Sequence, residues 1–325
     1  MVSGGLFVWL LGSVDLGELG RELAVTRWGW VMAAATVGPL CLWARAIRWR
    51  YLFPPGSEPP GLVAANMIGY MANNVLPLRA GELVRLYVAA RRLHRARGGS
   101  IGGGMWLTGA TIVVERLLDS LTLVLILAVL VLLIPVPPAF QYAAVVILLL
   151  DAAVAGAIAA LVIAPGVVRG VIAKVTRPWP ALEPRIGRGL EVVLRGLEGI
   201  RSPAHLAPLV AWTVVAWTIN AIGAWVVLRA VHLDLPFVAG WTVMTFVGFG
   251  ISIPSAPGYL GVWHAAAALA LSVFGVSQAT AVSYAVLYHA SQFVPITLIG
   301  WLFLVREHVS LGEAARGHPM DRAVG

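Results

Sequence analysis

The chain has 325 residues, of which 59% are hydrophobic and 12% are charged, and its mean hydropathy is +0.86. Soluble domains carry about 25% charged residues, so this composition excludes an ordinary soluble fold. A net charge of +8 could indicate a nucleic-acid partner, but the arginines cluster between apolar runs, as in the loops of a membrane protein. We therefore expect a membrane protein with no nucleic-acid partner. Cys41 is the only cysteine, which excludes an internal disulfide and a thiolate zinc site.

Five apolar runs are each long enough for a helix that crosses the bilayer, which takes about 20 residues. In chain order they are residues 28–46, 106–134, 142–164, 206–231 and 279–304. The shorter run from Leu6 to Val14 lacks the basic residues and the cleavage site of a signal peptide. It is also too short to cross alone, so residues 1–14 would form a full span only with help from neighbouring helices.

Two further apolar regions, residues 62–93 and 237–274, are each interrupted by a segment that contains proline and glycine. The interruptions read LPLRAG over residues 76–81 and IPSAPG over residues 253–258. Because proline and glycine break helices, we predict a turn at each place. The predicted turn residues are Pro77, Gly81, Pro254, Pro257 and Gly258.

The positions of the arginines predict how the chain is oriented. Arginines within residues 45–50 and 91–97 flank the first broken region, and the positive-inside rule places both groups in the cytoplasm. Only an even number of crossings can join them, and residues 62–78 are too short to cross twice. This region is therefore predicted to be a re-entrant hairpin that opens from the cytoplasm. The second hairpin then opens from the other side, with two full spans as the alternative there, and the C-terminus is cytoplasmic.

These elements predict an all-α fold, a polytopic membrane helix bundle with two re-entrant helical hairpins related as an inverted repeat. The first repeat covers about residues 28–134 and the second about residues 205–306, within a single transmembrane domain over residues 1–325. A linking helix and a basic elbow join them over about residues 140–203. The elbow is either an amphipathic helix on the membrane surface or a plain loop. We expect the protein in the bacterial inner membrane.

Inverted-repeat transporters place their binding site near the bilayer midplane, where broken helices restart. Helices are predicted to restart near Gly81 and Gly258, and helix N-termini attract anions. The candidate residues for a lipid headgroup or phosphate are Asn74, Arg79 and Arg85, with Arg48 as a further headgroup contact, and Glu82 would position the arginines. The alternative is that these charges form a structural ion-pair network or anchor the helices at the membrane surface.

A second charged cluster, Glu115, Arg116 and Asp119, lies inside a predicted span, where each charge needs a partner or a wet cavity. Arg116 and Asp119 are three residues apart and can pair, which leaves one acid unpaired. That acid either titrates, as a charge-balancing or proton-coupling group, or pairs with Arg79 or Arg85.

Three further polar residues lie in or beside predicted spans. Asp151 has no evident partner and is a candidate proton relay. His264 follows the second break and His289 lies in the last span, so each is either a pH-sensitive gate or a hydrogen-bonded packing histidine. No nucleophile elbow, zinc-binding helix or phosphate-binding loop occurs. We therefore expect no enzyme, no metal and no cofactor.

Four blocks of the sequence resemble the lysylphosphatidylglycerol synthetase transmembrane-region family of flippase-like membrane proteins. They are RAIRW (45–49), NVLPLRAGELVR (74–85), ERLLD (115–119) and PGYLGVWH (257–264). The resemblance covers nearly the whole chain, and the second block is the most specific. One departure is His264, because the family commonly has a glutamate at that place. A coupling role there is therefore either lost or taken over by His264.

The resemblance implies a lipid flippase for an anionic phospholipid or a polyprenyl-phosphate lipid, with membrane lipids as partners, and it leaves a homodimer open. It also implies a translocator without synthase activity, because no soluble acyl-transfer domain follows Leu304. The alternatives are a small-solute or ion transporter, and a membrane enzyme or accessory protein of polyprenyl-phosphate or glycolipid synthesis. A passive scaffold for enzymes of the cell envelope is a further alternative.

Overall fold

The computed structural model describes residues 24–77, 80–164, 203–252 and 256–307, together with residues 17, 20, 21, 166–168, 170 and 174. The described residues are mostly helical and contain no strand, which confirms the predicted all-α class. The predictions for residues 1–14, Arg79, Pro254 and most of the basic elbow lie outside the described residues.

The described helices follow one another along the chain and include five that are long and apolar enough to cross a bilayer. The helices are α1 (Trp28–Arg50), α2 (Leu62–Val75), α3 (Gly81–Arg97), α4 (Ile101–Leu133), α5 (Pro138–Ile163), α6 (Pro203–Ala230), α7 (Phe237–Ser252), α8 (Val262–Ser272) and α9 (Gln278–Glu307). The five long ones are α1, α4, α5, α6 and α9, and they coincide with the five predicted spans. The chain is therefore a multi-pass membrane protein.

The ends of the long helices extend beyond the apolar runs that predict them. α4 begins at Ile101 and not at residue 106, because the Ser100 hydroxyl accepts the Gly103 N–H at 3.0 Å and caps the helix. α1 continues to Arg50, so the arginines near its end stand on helical turns. Hydropathy reports the apolar stretch of a helix, whereas capping and packing decide where the helix ends.

The first broken region forms two short helices, α2 and α3, which pack closely at glycines. A Cβ added at Gly81 would overlap the Gly69 carbonyl oxygen and would lie 2.5 Å from Asn73 Oδ1. Pro77 lies in the connection between the helices, as predicted. The close contact of α2 with α3 therefore requires a residue without a side chain at position 81.

The second broken region also forms two short helices, α7 and α8, with a single 3₁₀ turn at Pro257–Tyr259 between them. α7 has 16 residues and α8 has 11, both fewer than the roughly 20 that a bilayer span takes. The prediction that a helix restarts near Gly258 was wrong in detail, since α8 begins at Val262. The chain cannot continue as a helix from Gly258 because Gly258 and Gly261 have φ angles of +67° and +86°.

The first half of the bundle, α1 to α4, is interleaved with the second half, α6 to α9. α1 packs extensively against α6, α9 packs against α2, and α4 contacts α7. One buried apolar cluster surrounds α7 and α8, and a second surrounds α2 and α3. Both clusters include residues of α1, α4, α6 and α9, so the long helices connect the two short-helix pairs.

α5 lies at the side of the bundle and joins it loosely. It packs mainly against α4 and makes a smaller contact with α7. Most of its described side chains are exposed, which leaves an apolar helix surface for contact with lipid. Asp151 is the only charged residue of α5, and its side chain is buried.

Candidate functional site: a cavity beside a buried charge network

A network of charged side chains joins α1, α3 and α4 inside the bundle. α1 supplies arginines from its last turns, α3 supplies residues from its first turns, and α4 supplies residues from its middle. The members of the charge network are Arg45, Arg48, Glu82, Arg85, Glu115, Arg116 and Asp119. Buried charges are stable only when they are paired, so this network also holds the three helices together.

The buried side of the network contains Arg48, Arg85 and Glu115. Arg48 is 0% exposed and lies 3.0 Å from Glu115 Oε1 and 2.6 Å from Asp119 Oδ1. Arg85 donates to Glu115 Oε2 at 2.5 Å, and its guanidinium lies 3.7 Å above the centre of the Trp49 ring. The acid that the pairing of Arg116 with Asp119 leaves over within α4 is Glu115, and Glu115 and Asp119 each also pair with arginines of other helices. The pairing of Arg85 with Glu115 was one of the two sequence-based alternatives.

The other side of the network contains Arg45 and Arg116, which face a cavity. Arg45 Nη1 lies 2.8 Å from Asp119 Oδ2, and Arg116 Nη2 lies 2.9 Å from Glu82 Oε1. The Arg116 side chain is 41% exposed, the largest exposed fraction among the arginine side chains of the charge network. A ligand in the cavity can therefore reach Arg116 without disturbing the buried pairs of Arg48 and Arg85.

The cavity has a volume of about 640 Å³ and lies between the two halves of the bundle. The first half contributes residues of α1 to α4, the second half contributes residues of α6 to α9, and α5 closes one side. Several lining side chains have a buried polar atom without a hydrogen-bond partner among the described residues. They are Asn73, Glu82, Arg116, Asp151, Trp217 and Trp263. The wall therefore contains both donors and acceptors whose hydrogen-bonding capacity is not used.

The two broken regions meet beside this cavity. A Cβ added at Gly258 would lie 3.3 Å from the carbonyl oxygen of Asn74, and His289 Nε2 lies 2.8 Å from the Gly258 carbonyl oxygen. The Asn74 side chain donates to Thr297 Oγ1 at 2.8 Å. The proline-marked turns are therefore neighbours, and α9 contacts both of them.

We expect Gly258→Ala to destabilise the protein more than Gly275→Ala. Both glycines have a positive φ, +67° and +72°, but an added Cβ would lie 2.8 Å from Phe293 Cε2 at position 258 and would meet nothing within 4 Å at position 275. The strain of a positive φ, about 1–2 kcal/mol, is then common to both variants, and overpacking adds about 1–3 kcal/mol at position 258 alone. Thermal unfolding of the two variants in detergent measures the difference. Equal losses would contradict the close contact of the turn at Gly258 with Phe293 of α9.

The structure places the remaining predicted site residues as follows. His264 lies in the first turn of α8, with its ring centre 4.8 Å from that of His289. Asn74, Glu82, Arg116 and Asp119 line the cavity. Arg48, Arg85 and Glu115 are not among its lining residues. Among the described residues, no group of three or more His, Cys, Asp and Glu side chains could hold a metal ion.

Arg45 was expected only to indicate the cytoplasmic side of α1, whereas it also lines the cavity. A signal was present, because Arg45 and Arg48 are three residues apart and share a helix face. The contribution of α5 was also missed, since a contact between Asp151 and Ser120 joins two helices that periodicity treats separately.

The model of the family described as lysylphosphatidylglycerol synthase TM region matches residues 1–300 of the chain. The chain belongs to this family. The lysylphosphatidylglycerol synthase TM-region match extends over the charge network, both broken regions and most of α9, so all parts of the cavity lie within it. No curated protein and no solved structure matches the chain.

Proposed function

We propose that the protein is a flippase that moves a lipid with an anionic phosphate headgroup across the bacterial inner membrane. In this proposal α2–α3 and α7–α8 are re-entrant hairpins, the two halves are an inverted repeat, and the C-terminus is cytoplasmic. The headgroup occupies the cavity while the acyl chains stay in the bilayer. The function is transport, and we assign no catalytic residue.

The order and packing of the helices support the repeat. In each half, a long helix is followed by two short helices around a proline–glycine break and then by a second long helix. α1 and α6, the first helices of the halves, pack against each other, and the last helix of each half contacts the first short helix of the other half. Helix pairs exchanged in this way are expected when two similar halves share one central site.

The observation that carries the proposal is a cavity shared by both halves with an accessible arginine in its wall. Four arginines face three acids in the charge network, so its described members retain one positive charge. A phosphate monoester or diester supplies the compensating negative charge. Arg116 can donate to the phosphate from Nη1, because its Nη2 already lies 2.9 Å from Glu82 Oε1, and Arg45 adds a positive charge from α1.

The loosely held α5 provides a route for the acyl chains. Its residues Ile147 and Val154 form an apolar part of the cavity wall, and its outer surface is exposed. A headgroup can then enter sideways from the bilayer, with lipid chains beside α5. Rocking of one half against the other would expose the cavity to each side in turn.

The test is headgroup translocation in proteoliposomes that contain a fluorescent acyl-labelled phosphatidylglycerol. We expect Arg116→Ala to slow translocation about ten-fold or more, because a hydrogen bond to a charged group contributes about 1.5–3 kcal/mol. The control is Arg229→Ala, since Arg229 pairs with Asp234 near the end of α6 and does not line the cavity. Unchanged translocation by a folded Arg116→Ala variant would remove the headgroup role of the cavity.

A transporter of small phosphate-containing solutes is the competing function, because the same arginines could bind a free anion. The apolar wall formed by α5 favours a lipid, because acyl chains pack against apolar side chains, whereas a hydrophilic solute gains nothing from them. Uptake of labelled inorganic phosphate or glycerol phosphate into the same vesicles distinguishes a solute transporter from a lipid flippase. Uptake of these solutes without lipid translocation would favour the competitor.

A further inference from the structure

Asp151 is a buried acid in the wall of the cavity that the charge network does not include. It lies on α5, outside the two halves, and is 7% exposed. It is the only charged residue in a helix of 26 residues. Because an acid at membrane depth destabilises insertion by about 2.5–3.5 kcal/mol, its presence there calls for a physical explanation.

The described residues leave the Asp151 carboxyl group incompletely paired. Ser120 on α4 donates to Asp151 Oδ1 at 2.6 Å, whereas Oδ2 has no hydrogen-bond partner among the described residues. The Ser120 hydroxyl has a single proton and also lies 3.0 Å from the Arg116 carbonyl oxygen, so this proton is shared between acceptors. None of the ion pairs among the described residues includes Asp151. A charged carboxylate in this position needs a cation with N–H or O–H donors.

The position of Asp151 relative to Arg116 indicates which cation fits. Ser120 follows Arg116 by four residues on α4, so the two side chains lie on one helix face about 6 Å apart along the axis. Asp151 contacts Ser120, and all three residues line the same cavity. The cavity thus presents an anion-binding arginine and a cation-binding carboxylate about one helical turn apart.

We propose that Asp151, with Ser120, binds the primary ammonium of a phospholipid headgroup whose phosphate lies at Arg116. This inference rests on the proposed function and adds a preference among its phospholipid substrates for those that carry an amine beside the phosphate. A primary ammonium has three N–H donors, so it can pair with the charge of Asp151 and donate to Oδ2. A quaternary ammonium has no N–H donor and would leave Oδ2 without a hydrogen bond.

The experiment compares three acyl-labelled phospholipids in the proteoliposome assay, namely phosphatidylethanolamine, phosphatidylcholine and phosphatidylglycerol. The wild-type protein is expected to translocate phosphatidylethanolamine faster than phosphatidylcholine. Asp151→Asn keeps the shape of the side chain and removes its charge. It is expected to slow translocation of phosphatidylethanolamine by about ten-fold or more, because loss of one partner leaves a buried charge unpaired. The loss should be larger for phosphatidylethanolamine than for phosphatidylglycerol, which has no ammonium group.

Three results would overturn the inference. They are wild-type rates that do not distinguish the ethanolamine from the choline lipid, an Asp151→Asn variant with unchanged rates, and an equal loss for all three lipids. The last result would assign Asp151 to folding or to binding of a coupling cation. If Asp151→Asn does not fold, Asp151→Glu replaces it as the test, because this variant keeps the charge. It is expected to keep the preference for the ethanolamine lipid over the choline lipid. Loss of that preference would overturn the inference. A wild-type protein that moves phosphatidylglycerol without preferring the ethanolamine lipid removes this inference alone, whereas one that moves none of the three removes the proposed function.

Discussion

Arg48→Ala is expected to lower the free energy of unfolding by about 3–5 kcal/mol, the usual loss when one partner of a buried ion pair is removed. Arg48 is fully buried and contacts both Glu115 and Asp119. Its loss leaves Glu115 with Arg85 and Asp119 with Arg45 as their close partners. The α1–α4 contact then contains two buried carboxylate oxygens, Glu115 Oε1 and Asp119 Oδ1, without the donor that Arg48 supplies.

Arg50→Ala is the matched control, because Arg50 lies on the same helical turn of α1 but is half exposed and 3.5 Å from Glu58. An exposed ion pair contributes about 0–1 kcal/mol, so this variant should unfold nearly as the wild type does. Cys41 provides the readout, since it is the only cysteine and is buried. A bulky thiol-reactive dye then reports unfolding in a denaturing-detergent titration. Similar losses for Arg48→Ala and Arg50→Ala would show that the buried pairs do not stabilise the bundle.

Gly81→Ala is expected to lower the free energy of unfolding by about 1–3 kcal/mol or more through overpacking of α2 against α3. The new methyl group would overlap the Gly69 carbonyl oxygen, which is backbone and cannot rotate away. α2 cannot shift outward easily, because on the α9 side a Cβ at Gly300 would already lie 2.5 Å from the Met67 carbonyl oxygen. The contact between α2 and α3 must therefore open.

Gly156→Ala on α5 is the control for this substitution. It is also a helical glycine, but an added Cβ there would meet nothing within 4 Å, and alanine is favoured over glycine in a helix by about 1 kcal/mol. This variant should be as stable as the wild type or more stable. Dye reaction at Cys41 measures both variants, and a Gly81→Ala variant as stable as Gly156→Ala would refute the tight α2–α3 contact.

Much of the fold could be predicted because its determinants are local. A membrane helix is recognised from about 20 consecutive apolar residues, and the breaks are recognised from proline and glycine at residues 76–81 and 253–258. The restart of α8 at Val262 was missed because two glycines with positive φ delay it. Sequence shows that glycines are present, but only backbone geometry shows which of them leave the helical region.

The sequence predicted several residues of the candidate site but not how they are arranged in space. Glu82, Arg116 and Asp119 were identified because charges are rare inside apolar runs, and they line the cavity. Arg45 was overlooked since it resembles an ordinary arginine at a helix end. Spacing along one helix cannot show that Arg45 lines the cavity whereas Arg48, on the same face, does not.

The sequence by itself determined that this is an all-helical membrane protein, where its long helices lie and where two helices are broken. These properties depend on the hydropathy and backbone preferences of neighbouring residues, which act over a few turns of chain. Only the tertiary structure decided which arginine pairs with which acid, that Asn74 and Gly258 meet, and that Asp151 joins the cavity wall. Those contacts link residues far apart in the chain, and their strength depends on burial, distance and packing, which no local pattern encodes.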